Sequence, residues 1–410
     1  MALHVMDEAN RCLGCKKPQC QAGCPIKTPI PQVIKLLKEN KLDEAGWMLF
    51  ENNPLTTVCS LICNHENQCE GHCVLGKKGT PVHFSVIENY ISSTYASKMT
   101  KGPAPSNGMK VAVVGSGPAG ITIAILMARY GYQVTMFESK EHIGGILRYG
   151  IPEFRLPKST LDDIQYRHLE MKGIKIRPNM RIGDAIGVDE LFRDGYKAIF
   201  IGTGVWKANT LGIKGESFGH VHYAINYLNN PDCYKLGNKV AVIGVGNAAM
   251  DVARTAMRNG SHDVTCFSLS DQVAASKYEF SYAQLEGVKF EYFRKPVEIV
   301  DEGVIFRAME YDADGKLVEI PGSDELFPAE SIIISISQGP QNTITSTTTG
   351  LDSTSRGLLK ADEQGHTSRP GIFASGDAVD GARTVVEAVA HSKVVAEAMH
   401  EYIQSLPKEE

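Results

Sequence analysis

Eight of the ten cysteines of this 410-residue chain fall within two closely spaced groups of four near its beginning. The first group reads C-x2-C-x4-C-x3-C-P, and the second reads C-x3-C-x5-C-x3-C. Thiolates at such spacing can converge on one soft metal centre. Because a Cys-Pro ending is typical of two-cluster ferredoxins, whose fourth cysteine ligates the other cluster, the pattern predicts two iron–sulfur clusters. The cysteines are Cys12, Cys15, Cys20 and Cys24, followed by Cys59, Cys63, Cys69 and Cys73.

Structural zinc and disulfide bonds are the two alternatives for so many cysteines. Four-thiolate zinc sites also use C-x-x-C pairs, but they usually hold two such pairs set apart. Disulfide frameworks are typical of small secreted proteins, whereas a chain of this length can bury a core without crosslinks. Since no apolar signal segment follows Met1, we expect reduced thiols, iron–sulfur clusters and a cytoplasmic location.

The overall composition argues against two classes of partner. The formal net charge is −5 at pH 7, whereas proteins that bind nucleic acid or an anionic membrane usually carry excess positive charge. The longest apolar stretch, around residues 121–128, is too short to span a bilayer. We therefore expect neither a nucleic acid nor a membrane as a partner.

A glycine-rich motif points to a second kind of chemistry. It follows a predicted strand over Met109–Val114 and opens a helix predicted to end near Tyr130. Its glycines let the backbone approach a pyrophosphate at the helix N-terminus. The next predicted strand, Gln133–Phe137, ends in a glutamate that can accept hydrogen bonds from ribose hydroxyls. The motif predicts a dinucleotide site formed by Gly115, Gly117, Pro118, Ala119, Gly120 and Glu138.

Two later segments favour FAD as the dinucleotide in this first site. Gly202-Thr-Gly204 follows an apolar strand predicted over Ala198–Ile201. Near the end of the chain, another predicted strand ends in Gly376-Asp377, which is suited to hold a ribityl or phosphate group. An FAD-binding fold interrupted by a nicotinamide domain would produce this order of segments.

The same strand, glycine loop and helix recur about 130 residues downstream. A predicted strand over Lys239–Ile243 leads into G-x-G-x-x-A, a helix to about Asn259 and a strand over Asp263–Phe267. The fingerprint allows alanine at its third position. We expect a nicotinamide site formed by Gly244, Gly246, Asn247, Ala248, Ala249 and Ser268.

Ser268 bears on the choice between NADH and NADPH, because it stands where Glu138 stands in the first repeat. The carboxylate that usually marks NAD is therefore missing. However, no arginine occurs between Cys266 and Ser276, and Lys277 is the first cation. Since a 2′-phosphate normally needs arginine or lysine, the sequence favours NADH, with NADPH as the alternative.

These motifs lie on a predicted α/β organisation of four segments. Apolar residues at helical spacing in Pro29–Leu49 indicate a helical beginning, and Thr100–Gly108 has the composition of a linker. We expect a helical two-cluster domain followed by two doubly wound, Rossmann-like domains, with the NAD domain inserted in the FAD domain. The predicted bounds are 1–105 for the cluster domain, 106–235 and 336–410 for the FAD domain, and 236–335 for the NAD domain.

With these motifs and the block Gly144-Gly-Ile-Leu-Arg-Tyr-Gly-Ile-Pro-Glu-Phe-Arg-Leu-Pro-Lys158, the sequence resembles the small subunit of glutamate synthase and its relatives. The relatives include the N-terminal half of dihydropyrimidine dehydrogenase and its separate bacterial NADH-oxidising subunit. The resemblance covers essentially the whole chain. NADPH-using members carry Tyr-Arg-Arg where this chain has Phe267-Ser-Leu, which again favours NADH. The resemblance also implies further flavin contacts from Gly144, Gly145, Arg148, Gly204, Gly376, Asp377, Thr384 and Val385.

The resemblance further implies how the cysteines divide between two 4Fe-4S clusters. One cluster would use Cys12, Cys15, Cys20 and Cys73. The other would use Cys24, Cys63, Cys69 and a carboxylate, Glu88, which leaves Cys59 as a spare thiol. The alternative is that Cys59 is the fourth ligand and Glu88 is a surface helix residue.

The function implied is an electron-input subunit that takes a hydride from NADH onto FAD and passes single electrons through the clusters to a partner subunit. Hydride transfer needs no side-chain acid or base, so we predict no catalytic residue, and Arg383, Glu387 and His391 are interpreted as packing or capping groups. Nothing in the chain resembles a glutaminase or an FMN barrel, so a catalytic or electron-accepting partner subunit is expected. Electron bifurcation, a non-catalytic redox sensor and a flavin disulfide reductase are the alternatives.

Overall fold

The computed structural model describes residues 4–98 and 103–407, which form two compact units. Within these limits, unit 1 comprises residues 4–148, 153–205 and 339–407, and unit 2 comprises residues 149–152 and 206–338. The chain thus leaves unit 1, forms unit 2 and returns, as predicted for an inserted domain. Of the predicted linker, residues 100–102 lie outside the described residues.

The beginning of unit 1 is helical. In α3, residues at i, i+3, i+4 and i+7 are buried, which is the apolar stripe of an amphipathic helix; they are Ile30, Val33, Ile34 and Leu37. The helical stretch predicted over Pro29–Leu49 consists of two helices, α3 and α4, because Asn40 adopts a left-handed conformation (φ 59°) that ends α3. The helices of this part are α1 (Val5–Arg11), α2 (Gln19–Ala22), α3 (Ile30–Lys38), α4 (Leu42–Asn52), α5 (Thr56–Ile62) and α6 (Phe84–Lys98).

The rest of unit 1 is a parallel sheet with the strand order β16-β4-β1-β2-β3. Its central strands are apolar runs buried on both faces, as expected where helices cover a parallel sheet. The elements before unit 2 are β1 (Lys110–Val114), α7 (Pro118–Arg129), β2 (Gln133–Phe137), α8 (Ile146–Tyr149), α9 (Lys158–Asp163), β3 (Lys175–Arg177), α10 (Val188–Arg193) and β4 (Tyr196–Ile201).

Unit 2 contains a second parallel sheet, with the order β6-β14-β7-β8-β9, and an antiparallel sheet of β10 to β13. Its elements are β5 (Lys207–Ala208), β6 (Val221–Tyr223), α11 (Ala224–Asn229), β7 (Lys239–Ile243), α12 (Asn247–Arg258), β8 (Asp263–Phe267), α13 (Lys277–Leu285), β9 (Lys289–Glu291), β10 (Arg294–Val300), β11 (Gly303–Tyr311), β12 (Leu317–Glu319), β13 (Glu325–Pro328), β14 (Ser331–Ile334) and β15 (Gln338–Gly339). The chain then completes unit 1 with α14 (Thr343–Thr347), β16 (Ile372–Ala374), α15 (Asp377–Asp380) and α16 (Val385–Ser405).

The two parallel sheets confirm the predicted internal repeat. In each sheet a central strand, β1 or β7, is followed by a glycine loop and a twelve-residue helix, and it pairs with the next strand in parallel. The predicted start of the second domain at residue 236 differs from the start of unit 2 at residue 206. The reason is that β6 pairs with β14, so residues 221–223 belong to the second sheet.

The helical part and the sheet of unit 1 pack together, which is why the predicted boundary at residue 105 does not separate two compact units. Arg129 of α7 forms an ion pair with Glu51 at 3.1 Å, and its guanidinium lies 4.6 Å from the ring centre of Phe50. Lys393 of α16 donates a hydrogen bond to the carbonyl of Asn52 at 2.8 Å. None of the helices in the described part of the chain has the length and apolar character needed to cross a membrane.

Candidate cofactor sites

Five cysteines line one cavity in the helical part of unit 1. Four of them are Cys12 at the end of α1, Cys15 in the following loop, Cys20 in α2 and Cys73, and the fifth is Cys69. The rest of the lining is mostly apolar. Burial raises the pKa of the Cys20 thiol to about 11, and the neighbouring thiols of the other three cysteines contribute to the same direction. The structure thus brings together the four residues predicted for the first cluster.

A second group of sulfur atoms lies around Cys63 and Cys69. A hydrogen bond with Cys59, followed by burial and by the charge of Glu88, raises the pKa of Cys63 well above its usual value. Burial and the charges of Glu88 and Cys24, among others, do the same for Cys69. The four predicted ligands of the second cluster are therefore neighbours. Cys69 also lines the cavity of the first group.

Glu88 is a buried carboxylate rather than a surface helix residue, because only 5% of it is exposed. The hydroxyl of Thr56 donates a hydrogen bond to Glu88 Oε1 at 2.7 Å. Burial raises the pKa of Glu88 to about 7, against the lowering effect of Thr56. Cys59, 2% exposed, is in hydrogen-bond contact with Cys63. The structure therefore places both candidates for the fourth ligand, Glu88 and Cys59, near Cys63.

The donor sets fit iron–sulfur clusters. Soft thiolates select such clusters, and the second set adds one hard carboxylate to three thiolates. In residues 4–98 and 103–407, no three His, Cys, Asp or Glu side chains converge as they would on a single metal ion.

The first glycine loop leaves open space where a pyrophosphate would approach. A Cβ atom added at Gly117 would have no heavy atom within 4 Å. In contrast, a Cβ atom at Gly120 would lie 2.0 Å from the carbonyl oxygen of Gly115, so α7 packs closely on the loop. Gly115 itself has φ 96°, which favours glycine. The loop residues Pro118 and Ala119 form the first turn of α7.

Glu138 lies at the end of β2, where it was predicted, and is 5% exposed. The backbone N–H and the hydroxyl of Ser116 donate to its Oε2, and the N–H of Lys140 donates to its Oε1 at 2.8 Å. The hydroxyl of Ser139 also donates to Oε1, at 3.2 Å. The about four acceptor positions of a carboxylate thus all have partners within the chain, and a ribose hydroxyl would have to replace one of them. Ser116 was missed by the sequence interpretation, although its place between two fingerprint glycines was a signal.

The block around Gly144 and Gly145 is joined to this loop. The N–H of Gly144 donates to the carbonyl of Ser116 at 2.9 Å, and a Cβ atom at Gly145 would lie 2.8 Å from the Cα of Gly117. Arg148 donates to the carbonyl of Ile143 at 2.9 Å and pairs with Asp162. Its guanidinium therefore has partners within the block.

The Gly376-Asp377 segment also reaches the first glycine loop. A Cβ atom at Gly376 would lie 3.2 Å from the Cβ of Ala119. The N–H of Arg383 donates to Asp377 at 3.1 Å, and burial raises the pKa of Asp377 to about 6. Segments from three distant parts of the sequence thus meet around the start of α7. Behind the loop, Gly202 approaches Gly115 closely, and Gly204 follows β4.

The start of α16 has a capping box. Thr384 accepts from the N–H of Glu387, whose side chain accepts from the N–H of Thr384 at 3.0 Å. Val385 is the first residue of the helix. His391 contacts Asp380 at 3.3 Å. Glu387 is therefore the capping group that the sequence analysis expected.

The second glycine loop, in unit 2, repeats the geometry of the first. A Cβ atom at Gly246 would have no heavy atom within 4 Å, whereas one at Gly244 would lie 2.3 Å from the carbonyl oxygen of Ser335. Ala248 is exposed and Ala249 is buried. The side chain of Asn247 accepts from the N–H of Ser276 at 2.8 Å and so ties the start of α13 to the loop.

Ser268 lies at the end of β8, as Glu138 does in unit 1. Its carbonyl accepts from the N–H of Arg294 at 2.8 Å. This arginine was missed because it is distant in sequence. Its side chain faces two carboxylates, Glu291 at 3.8 Å and Glu325 at 3.4 Å.

The two cysteines outside the cluster region are both in unit 2 and differ in burial. Cys233 is exposed, and Cys266 is buried in β8, where burial raises its pKa. The first accepts a hydrogen bond from Asn230 at 3.0 Å. Neither forms a disulfide in the described part of the chain.

Comparison with known families divides the chain in the same way. The model for dihydropyrimidine dehydrogenase domain II, 4Fe-4S cluster, matches residues 2–100. The model for pyridine nucleotide-disulphide oxidoreductase matches residues 109–392.

Curated relatives match over nearly the whole chain. The glutamate synthase (NADPH) small chain of Halomonas elongata is 33% identical, over 97% of this chain and 90% of the relative. The NAD-dependent dihydropyrimidine dehydrogenase subunit PreT of Salmonella typhimurium is 29% identical, over 98% of this chain and 95% of the relative.

Solved structures show the same fold at lower identity. FprA of Mycobacterium tuberculosis in complex with NADPH has a TM-score of 0.61 at 17% identity, over 73% of this chain and 85% of that one. Thioredoxin reductase of Lactococcus lactis has a TM-score of 0.56 at 24% identity, over 73% of this chain and 100% of that one. The chain therefore belongs to the glutamate synthase small-chain family of oxidoreductases, which join a 4Fe-4S domain to a pyridine nucleotide-disulphide oxidoreductase domain.

Proposed function

We propose that the chain is the electron-input subunit of a larger oxidoreductase, which oxidises NADH and delivers single electrons through two 4Fe-4S clusters to a partner subunit. One observation carries this proposal. A thiol-lined cavity and a dinucleotide loop lie in the same compact unit, which a separate nucleotide unit interrupts. A protein that only bound nucleotide would have no need of eight cysteines beside it.

The side chains of unit 1 have two tasks in this proposal. Cys12, Cys15, Cys20 and Cys73 hold one cluster, and the second group, completed by Glu88, holds the other. At the flavin site, the open face of Gly117 admits the pyrophosphate and Glu138 accepts from the ribose. When bound, FAD supplies the exchange between two-electron and one-electron chemistry. The protein's own part is binding, orientation and electrostatics.

Unit 2 would hold the nicotinamide dinucleotide, with the exposed start of α12 facing its pyrophosphate. We propose that NADH is the preferred donor, because Ser268 offers no cation. The neighbouring Arg294 is already paired with Glu291 and Glu325. A 2′-phosphate there would meet two carboxylates and one shared arginine. One relative is named for NADPH and another for NAD, so the relatives' names do not decide the donor. The preference for NADH is therefore argued from the residues of this chain.

The partner subunit is proposed from the names of the relatives. Several relatives are named as chains or subunits of larger enzymes, among them a formate dehydrogenase subunit of Moorella thermoacetica. We therefore propose that the reaction using the electrons takes place in another polypeptide.

Anaerobic purification followed by chemical analysis tests the proposal. About eight iron and eight acid-labile sulfide per chain are expected, as two four-iron clusters require, together with one FAD. NADH should bleach the flavin absorbance and support the reduction of a viologen dye, with a higher kcat/KM than NADPH. Stoichiometric zinc without sulfide, or a flavin that NADH does not bleach, would overturn the proposal.

A further inference from the structure

The segments that carry the first cysteine group are basic, although the whole chain has a net charge of −5. Residues 9–38 contain six lysines and arginines and no aspartate or glutamate. Residues 71–87 contain two lysines and again no acidic residue. Positive charge is therefore concentrated in the two stretches of chain that supply this group.

The fold brings these two stretches together. Cys12 and Cys73 line the same cavity. The guanidinium of Arg11 donates to the hydroxyl of Thr80 at 2.8 Å and to the carbonyl of Pro81 at 3.0 Å. The loop that follows Cys73 is thus fastened beside the loop that follows Cys12.

Four lysines on these loops are exposed: Lys16, Lys17, Lys77 and Lys78. None of them forms an ion pair with another residue in the part of the chain that the structure describes. The acidic residue nearest to Arg11 in sequence, Glu8, is 4% exposed and already pairs with that arginine. The lysine charges are consequently not neutralised within these loops.

A leucine lies among these charges. Leu13, between the first two cysteines, is 65% exposed and also lines the cavity. An exposed apolar side chain with charged residues around it has the composition of a protein interface, in which an apolar centre is surrounded by a polar rim. We call Leu13, Lys16, Lys17, Lys77 and Lys78 the lysine surface.

We propose that the lysine surface is the docking site for a partner protein with an acidic, redox-active face. The inference rests on the proposed function, since it names the kind of partner that receives the electrons. Charge complementarity carries it. An acidic face would neutralise the lysines and would be steered towards them, and the contact would place the partner against the thiol-lined cavity.

The test uses the purified holoprotein with NADH and two haem proteins as probes, an acidic b-type cytochrome and a basic c-type cytochrome. Oxidation of one NADH to NAD⁺ releases one proton and reduces two haem irons from Fe(III) to Fe(II), so the haem absorbance reports the rate. With the unmodified protein, kcat/KM for the acidic cytochrome should fall as salt is added, because the distance over which charges attract each other, the Debye length, shortens to about 10 Å at 0.1 M salt. The value for the basic cytochrome should rise.

Charge reversal provides the second measurement. Lys16→Glu combined with Lys77→Glu should lower kcat/KM for the acidic cytochrome about tenfold or more, the scale of electrostatic steering, and raise it for the basic one. Lys175→Glu combined with Lys360→Glu is the matched control. Both of these lysines are exposed in unit 1, the change in net charge is the same, and the kinetics should not change.

Each variant is checked for iron, sulfide and NADH-dependent flavin bleaching, all of which should equal those of the unmodified protein. If Lys16→Glu lowers the iron content, the salt dependence of the unmodified protein decides the question without a variant. The proposal is overturned if the acidic cytochrome is not reduced, or if its kcat/KM is unchanged both by added salt and by the charge-reversal substitutions. Salt-sensitive binding to phosphatidylserine vesicles in that case would assign the lysine surface to a membrane. Failure of NADH to bleach the flavin would refute the proposed function instead.

Discussion

The open space at Gly117 leads to a prediction that separates flavin binding from folding. In Gly117→Ala, the new Cβ would have no heavy atom within 4 Å, and the extended backbone there (φ −73°, ψ −172°) suits alanine. The chain should therefore fold normally. However, the methyl group would occupy the space through which the backbone approaches the pyrophosphate. A steric cost of about 1–3 kcal/mol, typical of one added methyl in a filled site, corresponds to roughly a 5- to 150-fold loss of flavin affinity.

Gly120→Ala is the contrasting variant, because its Cβ would lie 2.0 Å from the Gly115 carbonyl oxygen. Backbone atoms cannot rotate away as a side chain does, so α7 would have to shift from the loop. The cost therefore falls on the folded state itself. We expect a lower Tm for Gly120→Ala even in flavin-free protein, whereas Gly117→Ala should match the parent.

The assay removes the flavin, measures Tm of the flavin-free chains and then titrates FAD back by fluorescence quenching. Iron and sulfide content should be unchanged in Gly117→Ala, because the cysteines are elsewhere in unit 1. Gly246→Ala in unit 2 provides an internal comparison. It has the same open geometry and should weaken NADH binding while leaving flavin content intact. The reasoning fails if Gly117→Ala binds FAD as tightly as the parent, or if it unfolds as readily as Gly120→Ala.

Three further predictions concern the clusters, the donor and pH. Glu88→Ala should reduce iron from about eight to about four per chain, while flavin bleaching by NADH persists; the reverse pattern, with iron lost in Cys59→Ala alone, would make Cys59 the ligand. Ser268→Arg should shift the ratio of kcat/KM towards NADPH by roughly tenfold, since a charged hydrogen bond to a phosphate contributes about 1.5–3 kcal/mol; an unchanged ratio would show that the phosphate is bound elsewhere. Because burial raises the pKa of Asp377 from 3.8 to about 6, the flavin-free chain should lose stability as pH rises through that interval, and flavin affinity should increase as the carboxylate ionises. Asp377→Asn should remove both pH effects, as calorimetry and FAD titration would show.

Local patterns were sufficient to predict the nucleotide-binding units. β2, β7 and β8 have the predicted bounds, because each is a short apolar run that ends at a glycine loop or a turn. The open backbone geometry at Gly117 and Gly246 also followed from sequence, since the fingerprint describes backbone geometry within six residues; their binding roles stay predictions. The apolar spacing in Pro29–Leu49 correctly predicted helical structure, but the break between α3 and α4 at the left-handed Asn40 has no signal in hydrophobic periodicity.

The spacing of residues alone did not determine which distant residues meet. The cysteine spacing predicted metal chemistry, and only the family resemblance grouped Cys73 with Cys12 and Glu88 with the second cysteine group. Packing is what brings Cys73 to the loop of Cys12 and buries Glu88 among thiols. Likewise, β6 belongs to unit 2 because it pairs with β14, which the sequence did not predict. The hydrogen bond from the N–H of Arg294 to the carbonyl of Ser268 also joins residues that are distant in sequence. The physical reason is that local sequence determines backbone conformation over a few residues, whereas contacts between distant segments depend on how whole elements bury their apolar faces.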